Sequence, residues 1–288
     1  MNKKKTTKTI LVTGGAGFIG SHLCERLAQD KNNHVISLDN YFTGSKDNHV
    51  DGVEYREGHT KDIEKHITEK IDTIYHLGEY SRVRQSLNEP DVVWGLNMKG
   101  SLGVLEFWRK QKCKLVYAGS STKFTEARSD GVCGRDLAPY TWAKAAISDL
   151  VGNYARWYDL PYVTVYFYNV YGTREITDRY GAVVGIFKQK YFNGETLTVA
   201  SPGTQMRCFT HIDDTINGII LASDKGKGDG YGIGAKDCHS LLEVAEMFGG
   251  EIEMIPKTKS TRTANEVDSS KMEAQNIKNL SNNNFKTK

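Results

Sequence analysis

Tyr140 and Lys144 stand four residues apart in the run Y-T-W-A-K, so on a helix they share one face. That spacing suits proton transfer. A phenol has a reference pKa near about 10 and accepts a proton at neutral pH only when a cation stabilises its phenolate, a role open to Lys144. Upstream, Gly119 to Thr122 read G-S-S-T and offer hydroxyls that can hold a substrate oxygen against Tyr140. Further upstream, Gly14 to Gly20 read G-G-A-G-F-I-G. The spacing Gly14, Gly17, Gly20 permits a tight turn, close approach of backbone to a pyrophosphate and close packing of helix on strand. A helix starting near Phe18 then aims its free N–H groups at the phosphates. Asp39, nineteen residues after Gly20, can accept both ribose hydroxyls of NAD and repel the 2′-phosphate of NADP. Read as an ordinary turn residue at a strand end, Asp39 would need no ligand, and the neighbouring Asn40 suits either reading.

These residues need a frame, and the chain supplies an alternating one. The sequence predicts strands over Thr9–Thr13, His34–Leu38, Val53–Arg56, Thr73–Leu77, Lys114–Ala118 and Tyr162–Tyr168. Between them, helical spacing covers Phe18–Asp30, Asp91–Lys110 and Tyr140–Tyr158. The rhythm implies an α/β chain: a Rossmann-type doubly wound parallel sheet, with ligands bound outside the carboxyl ends of its strands. After Gly172 the pattern changes to helices at Val183–Tyr191 and Ile212–Ala222 with a short strand at Thr196–Ala200. The expected division is a dinucleotide-binding domain over 1–172 and a smaller C-terminal substrate lobe over 173–288, with about 205–235 packing back onto the first and a frayed tail after about 276.

At the end of the fourth strand, His76, Leu77, Gly78, Glu79 and Tyr80 enter the same crevice. Gly78 lets the backbone pass close to a cofactor, His76 reads as a packed histidine, and Glu79 and Arg82 either contact ribose or phosphate or pair at the rim.

The formal charge of +3 over 288 residues, with Lys3, Lys4, Lys5 and Lys8 ahead of the first strand, speaks against nucleic-acid binding. Cys24, Cys113, Cys133, Cys208 and Cys238 match neither a disulfide framework nor a metal site, which favours a reducing, cytoplasmic setting. No apolar run reaches the length of a membrane span, and residues 1–8 lack the hydrophobic stretch of a secretion signal.

The motifs together resemble the NAD-dependent epimerase/dehydratase family of extended short-chain dehydrogenases, in the pattern of nucleotide-sugar 4-epimerases. They are T-G-G-A-G-F-I-G at Thr13 to Gly20, L-D-N at Leu38 to Asn40, Asn97 in N-M-K-G, Y-A-G-S-S-T at Tyr117 to Thr122, Y-T-W-A-K, Y-N-V-Y-G at Tyr168 to Gly172 and R-C-F-T-H-I-D-D at Arg207 to Asp214. The resemblance spans about Lys8 to Lys271. It implies a catalytic set of Ser121, Tyr140 and Lys144, and a bound NAD held by Gly14, Gly17, Phe18, Ile19, Gly20, Asp39, Asn40, Leu77, Gly78, Asn97, Tyr140, Lys144 and Phe167. It places a nucleoside diphosphate sugar, foremost a UDP-sugar, against Glu79, Ser121, Thr122, Asn169, Arg207 and Arg262. The family also implies a homodimer through a four-helix bundle of Asp91–Lys110 and Tyr140–Tyr158, with Trp94, Leu105, Trp108, Leu150 and Trp157 turned outward.

Within that family the reaction depends on a few variable positions. The 4,6-dehydratases carry T-D-E where this chain is matched by Ser121, Thr122 and Lys123, and the decarboxylases place a Glu at Lys123. Lacking those carboxylates, the chain is expected to be a 4-epimerase, with a 4-dehydrogenase or 4,6-dehydratase as the alternative and a non-catalytic NAD-binding regulator behind both. It departs from the family at Gly58, His59, Thr60, where G-D-I or G-D-L is usual, and at Lys123, Phe124, Thr125, where an apolar turn is usual.

Overall fold

The computed structural model describes residues 7–124, 134–256 and the backbone of 278–279. Its centre is a parallel sheet of β1 (Lys8–Thr13), β2 (Asn33–Asp39), β3 (Val53–Glu57), β4 (Thr73–His76), β5 (Lys114–Ser120) and β6 (Tyr162–Phe167). Three smaller two-stranded pairs use β7 (Val170–Tyr171), β8 (Leu197–Ala200), β9 (Met206–Cys208) and β10 (Thr210–His211), together with β12 (Cys238–Ser240) and β13 (Ile252–Ile255). β11 (Gly228–Ile233) and the two-residue β14 (Lys278–Asn279) extend the large sheet, whose order is β14-β11-β6-β5-β4-β1-β2-β3. The order reverses between β1 and β4, so a crevice opens there at the carboxyl ends of the strands.

Side chains alternate across each strand, and the two faces of the sheet bury separate apolar layers. Ile10 and Val12 of β1 face the helices Phe18–Ala28 and Ile212–Lys225, meeting Leu23, Leu27, Ile216 and Ile219. Leu11 faces the helices Gly100–Gln111 and Pro139–Tyr158, in a layer with Val104, Trp108, Ile147 and Val151. A separate small core of Phe187, Leu197, Val199, Val244 and Ala245 joins the helices Val183–Phe192 and Leu241–Phe248 to β8 and β13. The second of those helices starts from a reciprocal cap: Ser240 Oγ accepts from Glu243 N at 3.1 Å, and Glu243 Oε2 accepts from Ser240 N at 2.7 Å.

Several expectations are corrected. Leu105 and Trp108 do not turn outward: both are fully buried, because with Val104 they form the sheet-facing stripe of their helix. The helical run from Pro90 is not uniform either, since Trp94–Lys99 forms a π-helical turn between α-helical segments. Cys208 and Cys238, thirty residues apart, form a disulfide, because antiparallel β9 and β12 set them opposite one another. No local spacing announces such a pair, and the cysteine argument for a reducing setting falls with it. Cys24 and Cys113 are free and buried, and Cys133 lies outside the described residues. In the tail expected to fray, Lys278–Asn279 pair in parallel with Tyr231–Gly232 at the sheet edge. Among the described residues no helix is long and apolar enough to cross a membrane.

Candidate active site

The strand ends converge on a cavity of about 340 Å³. Its floor is the glycine loop. Gly14 adopts φ +74°, and a Cβ on Gly14 would lie 2.7 Å from Gly78 Cα, so both positions need glycine for the β1 and β4 ends to touch. Gly20 packs so tightly that a Cβ there would overlap the Gly14 carbonyl, 2.8 Å from its carbon. Together they leave the amide end of the first helix open to the cavity, as a pyrophosphate requires. Asp39, at the end of β2, is nearly buried; its Oδ2 accepts from Ala16 N at 2.9 Å and its Oδ1 from Tyr41 N at 2.8 Å. Burial raises its carboxyl above the ordinary value and the two N–H groups oppose that rise. Each oxygen keeps a further lone pair for a ribose hydroxyl.

Of the positions expected to hold NAD, all line this cavity except Asn97. Asn97 is fully buried and spends its amide on the backbone of Tyr80: Oδ1 accepts from Tyr80 N at 2.6 Å, and Nδ2 donates to Tyr80 O at 3.1 Å. It shapes the cavity wall without reaching the cavity, and the π-helical turn is the element that places it there. His76 is also a packing residue, with Nδ1 2.7 Å from Thr13 Oγ1 and Nε2 3.0 Å from Ser101 Oγ. Full burial pushes its imidazole down to about 4, so it is neutral.

The helix Pro139–Tyr158 carries Tyr140 and Lys144 into the cavity one turn apart. The hydroxyl that meets Tyr140 is not the expected one. Tyr140 Oη donates to Ser120 Oγ at 3.2 Å, and Ser120 Oγ also lies 2.8 Å from Thr122 Oγ1. Ser121 lines the cavity without a comparable bond to Tyr140. The reason is register: β5 runs two residues further than expected, to Ser120, so Ser120 is the last strand residue and the one aimed along the crevice. None of Ser120, Ser121 and Thr122 carries a carboxylate.

Lys144 Nζ donates to Glu79 Oε2 and to the Ala118 carbonyl, and lies 4.5 Å over the ring of Tyr117. Glu79 is therefore a buried partner of Lys144 rather than a rim residue. Asn169 lines the cavity with φ +33°, its Nδ2 donating to Cys208 O at 3.1 Å. Arg207, buried in β9, donates from Nη1 to Met206 O at 2.7 Å and does not line the cavity. Arg262 lies outside the described residues. Two wall residues had no role in the sequence reading or only a rim role, Glu175 and Arg82. Burial pushes the Glu175 carboxyl up to about 7, and its Oε1 is buried without a hydrogen-bond partner among the described residues. Arg82 donates from Nε to the Tyr180 carbonyl and from Nη1 to Ser81. Neither residue sits in a motif, so only the folded wall reveals them.

Comparison with known proteins agrees with this geometry. The chain is 31% identical over 254 residues to UDP-glucuronic acid decarboxylase 6 of Arabidopsis thaliana, covering 82% of this chain and 72% of the relative. It is 30% identical over 252 residues to a putative UDP-glucose 4-epimerase of Methanocaldococcus jannaschii, covering 84% and 82%. The crystal structure of UDP-glucose 4-epimerase from Thermotoga maritima with UDP-glucose superposes with a TM-score of 0.83 at 25% identity, over 92% of this chain and 91% of that one. With the model of the NAD dependent epimerase/dehydratase family matching residues 10–234, the chain belongs to that family, and its cofactor is NAD.

Proposed function

We propose that the protein is an NAD-dependent nucleotide-sugar 4-epimerase. The observation that carries this reading is the turn after β5: Ser120, backed by Thr122, sets a hydroxyl against Tyr140, and none of Ser120, Ser121 and Thr122 supplies the carboxylate that elimination or decarboxylation would call for. The glycine loop, Asp39 and the Leu77–Gly78 corner hold NAD, which supplies a hydride acceptor and donor. Tyr140, flanked by the Lys144 cation, takes the proton from the C4 hydroxyl and later returns it. Ser120, in place of the serine expected from sequence, donates to the C4 oxygen as its charge develops. Asn169, on the cavity wall, contacts the nucleotide sugar while the hexose turns, so that the hydride held on the bound cofactor would return to the opposite face of C4 and Tyr140 would give its proton back to the C4 oxygen. A UDP-sugar is the favoured substrate, since the epimerase named above was solved with UDP-glucose and the decarboxylase is named for a UDP-sugar.

The same reading has two copies pairing through the outer sides of the two long helices, where Trp94, Leu102, Trp142 and Trp157 are exposed. In this reading the described residues of 1–172, with 205–235, form the cofactor domain, and the other residues of 173–256 form the substrate lobe.

The experiment is incubation of the purified protein with NAD and a panel of UDP-, GDP-, CDP- and dTDP-hexoses and hexuronates, following C4 configuration by NMR together with NADH absorbance. The expected result is a 4-epimer without net NADH, abolished in Tyr140→Phe. Accumulating NADH with a keto sugar makes the protein a dehydrogenase. Carbon dioxide released from a hexuronate makes it a decarboxylase.

A further inference from the structure

Glu79 and Lys144 form an ion pair whose side chains are 3% and 5% exposed. Oε1 of Glu79 accepts from Ser101 Oγ at 2.8 Å and from Tyr117 Oη at 3.3 Å, while Oε2 takes the Lys144 ammonium. Beyond Ser101 the contacts run on through His76 to Thr13, whose Oγ1 accepts from Gly78 N at 3.1 Å. A chain of polar side chains thus joins the strand that carries the glycine loop to the cation beside the tyrosine base.

Two buried charges cost desolvation that their attraction barely offsets, and a well-packed apolar pair of the same volume would serve stability as well or better. The Ala118 carbonyl already receives Lys144, so holding the side chain in place does not require a carboxylate. What Glu79 adds is charge. We propose that Glu79 is a positioning residue for the proton-transfer step, acting through Lys144: it offsets part of the charge of the Lys144 ammonium, thereby setting how readily the Tyr140 phenolate forms. This rests on the reading of Tyr140 as the base.

The other groups facing this pair are accounted for. Tyr117 and His76 pack against Glu79 from β5 and β4, and His76 stays neutral. Tyr80, Arg82 and Glu175 face Tyr140 from the segment after β4 and from the opposite wall. The Arg82 guanidinium is cationic throughout the working range.

The test needs no substrate. NAD-loaded protein is titrated by tyrosinate absorbance, with the matching Tyr140→Phe protein subtracted, first in the native chain and then in Glu79→Gln. Other titrating groups, Glu175 among them, cancel in each subtraction. With the carboxylate gone, the Lys144 ammonium acts unopposed, and the Tyr140 transition is expected to move down by about one pH unit, a tenfold gain in phenolate at a given pH. A Tyr140 transition that stays in place or moves up in folded Glu79→Gln overturns the proposal. If Tyr140→Phe removes no transition from the native chain, the base reading itself fails, a different result. Should Glu79→Gln not fold, Ser101→Ala removes one donor from Glu79 and keeps its charge; the transition must then move up, and an unmoved one overturns the proposal.

Discussion

Ser120→Ala and Ser121→Ala are expected to differ by about two orders of magnitude in kcat. Ser120 Oγ lies 3.2 Å from Tyr140 Oη and 2.8 Å from Thr122 Oγ1, at a residue 7% exposed, so its hydroxyl is held in one place before substrate arrives. A fixed donor to an oxygen that gains charge is worth roughly 3 kcal/mol in the transition state, which is about a hundredfold in rate. Ser121 has no such geometry, and its removal should change kcat by less than about threefold. Structural loss is separable: deleting the Ser120 hydroxyl leaves Thr122 and Tyr140 one partner short, about 1 kcal/mol and some 2–4 °C in Tm for a chain of this size. The assay is steady-state kinetics on whichever sugar nucleotide the panel identifies, with Tm measured in parallel and Ser120→Thr as the variant that keeps a hydroxyl. A Ser121→Ala enzyme that is crippled while Ser120→Ala stays within a few-fold of wild type would refute the assignment.

Two further outcomes follow from packing and charge. In Gly20→Ala the new Cβ would lie 2.8 Å from Gly14 C and 2.9 Å from Gly15 Cα, backbone atoms that cannot swing aside, so NAD affinity by calorimetry should fall at least about tenfold with Tm. Gly95→Ala is the control, because a Cβ there meets nothing within 4 Å. For Glu175, the folded carboxyl titrates at about 7 against an ordinary 4.5. Below the lower value both folded and unfolded states hold the proton and nothing is lost. Stability then falls as pH rises through the interval and levels off above 7, by about 1–2 kcal/mol once partial solvent access is allowed for. Glu175→Gln should flatten that fall in urea-denaturation curves, and an unchanged slope counts against the burial argument.

The parts of this site that could be read in sequence are those whose chemistry is local. A glycine loop must lie between one strand and one helix, and Tyr140 and Lys144 share a face because four residues make about one helical turn. Asp39 follows from the length of the same βαβ unit. Wherever the determining contact is long-range, local pattern cannot supply it. Asn97 and Tyr80 are seventeen residues apart, Glu79 and Lys144 sixty-five, and Cys208 meets Cys238 only because β9 and β12 pair. The choice between Ser120 and Ser121 is the sharpest case, since hydroxyl chemistry is identical at both and a strand places alternate residues on opposite faces. Only the end of β5, two residues beyond the apolar run, decides which serine meets Tyr140. Glu79 carries the same lesson further. Beside the loop it reads as a rim carboxylate, and only the helix that returns through the crevice with Lys144 turns it into a buried counter-charge, which is why its effect must be looked for in the titration of Tyr140 rather than in stability.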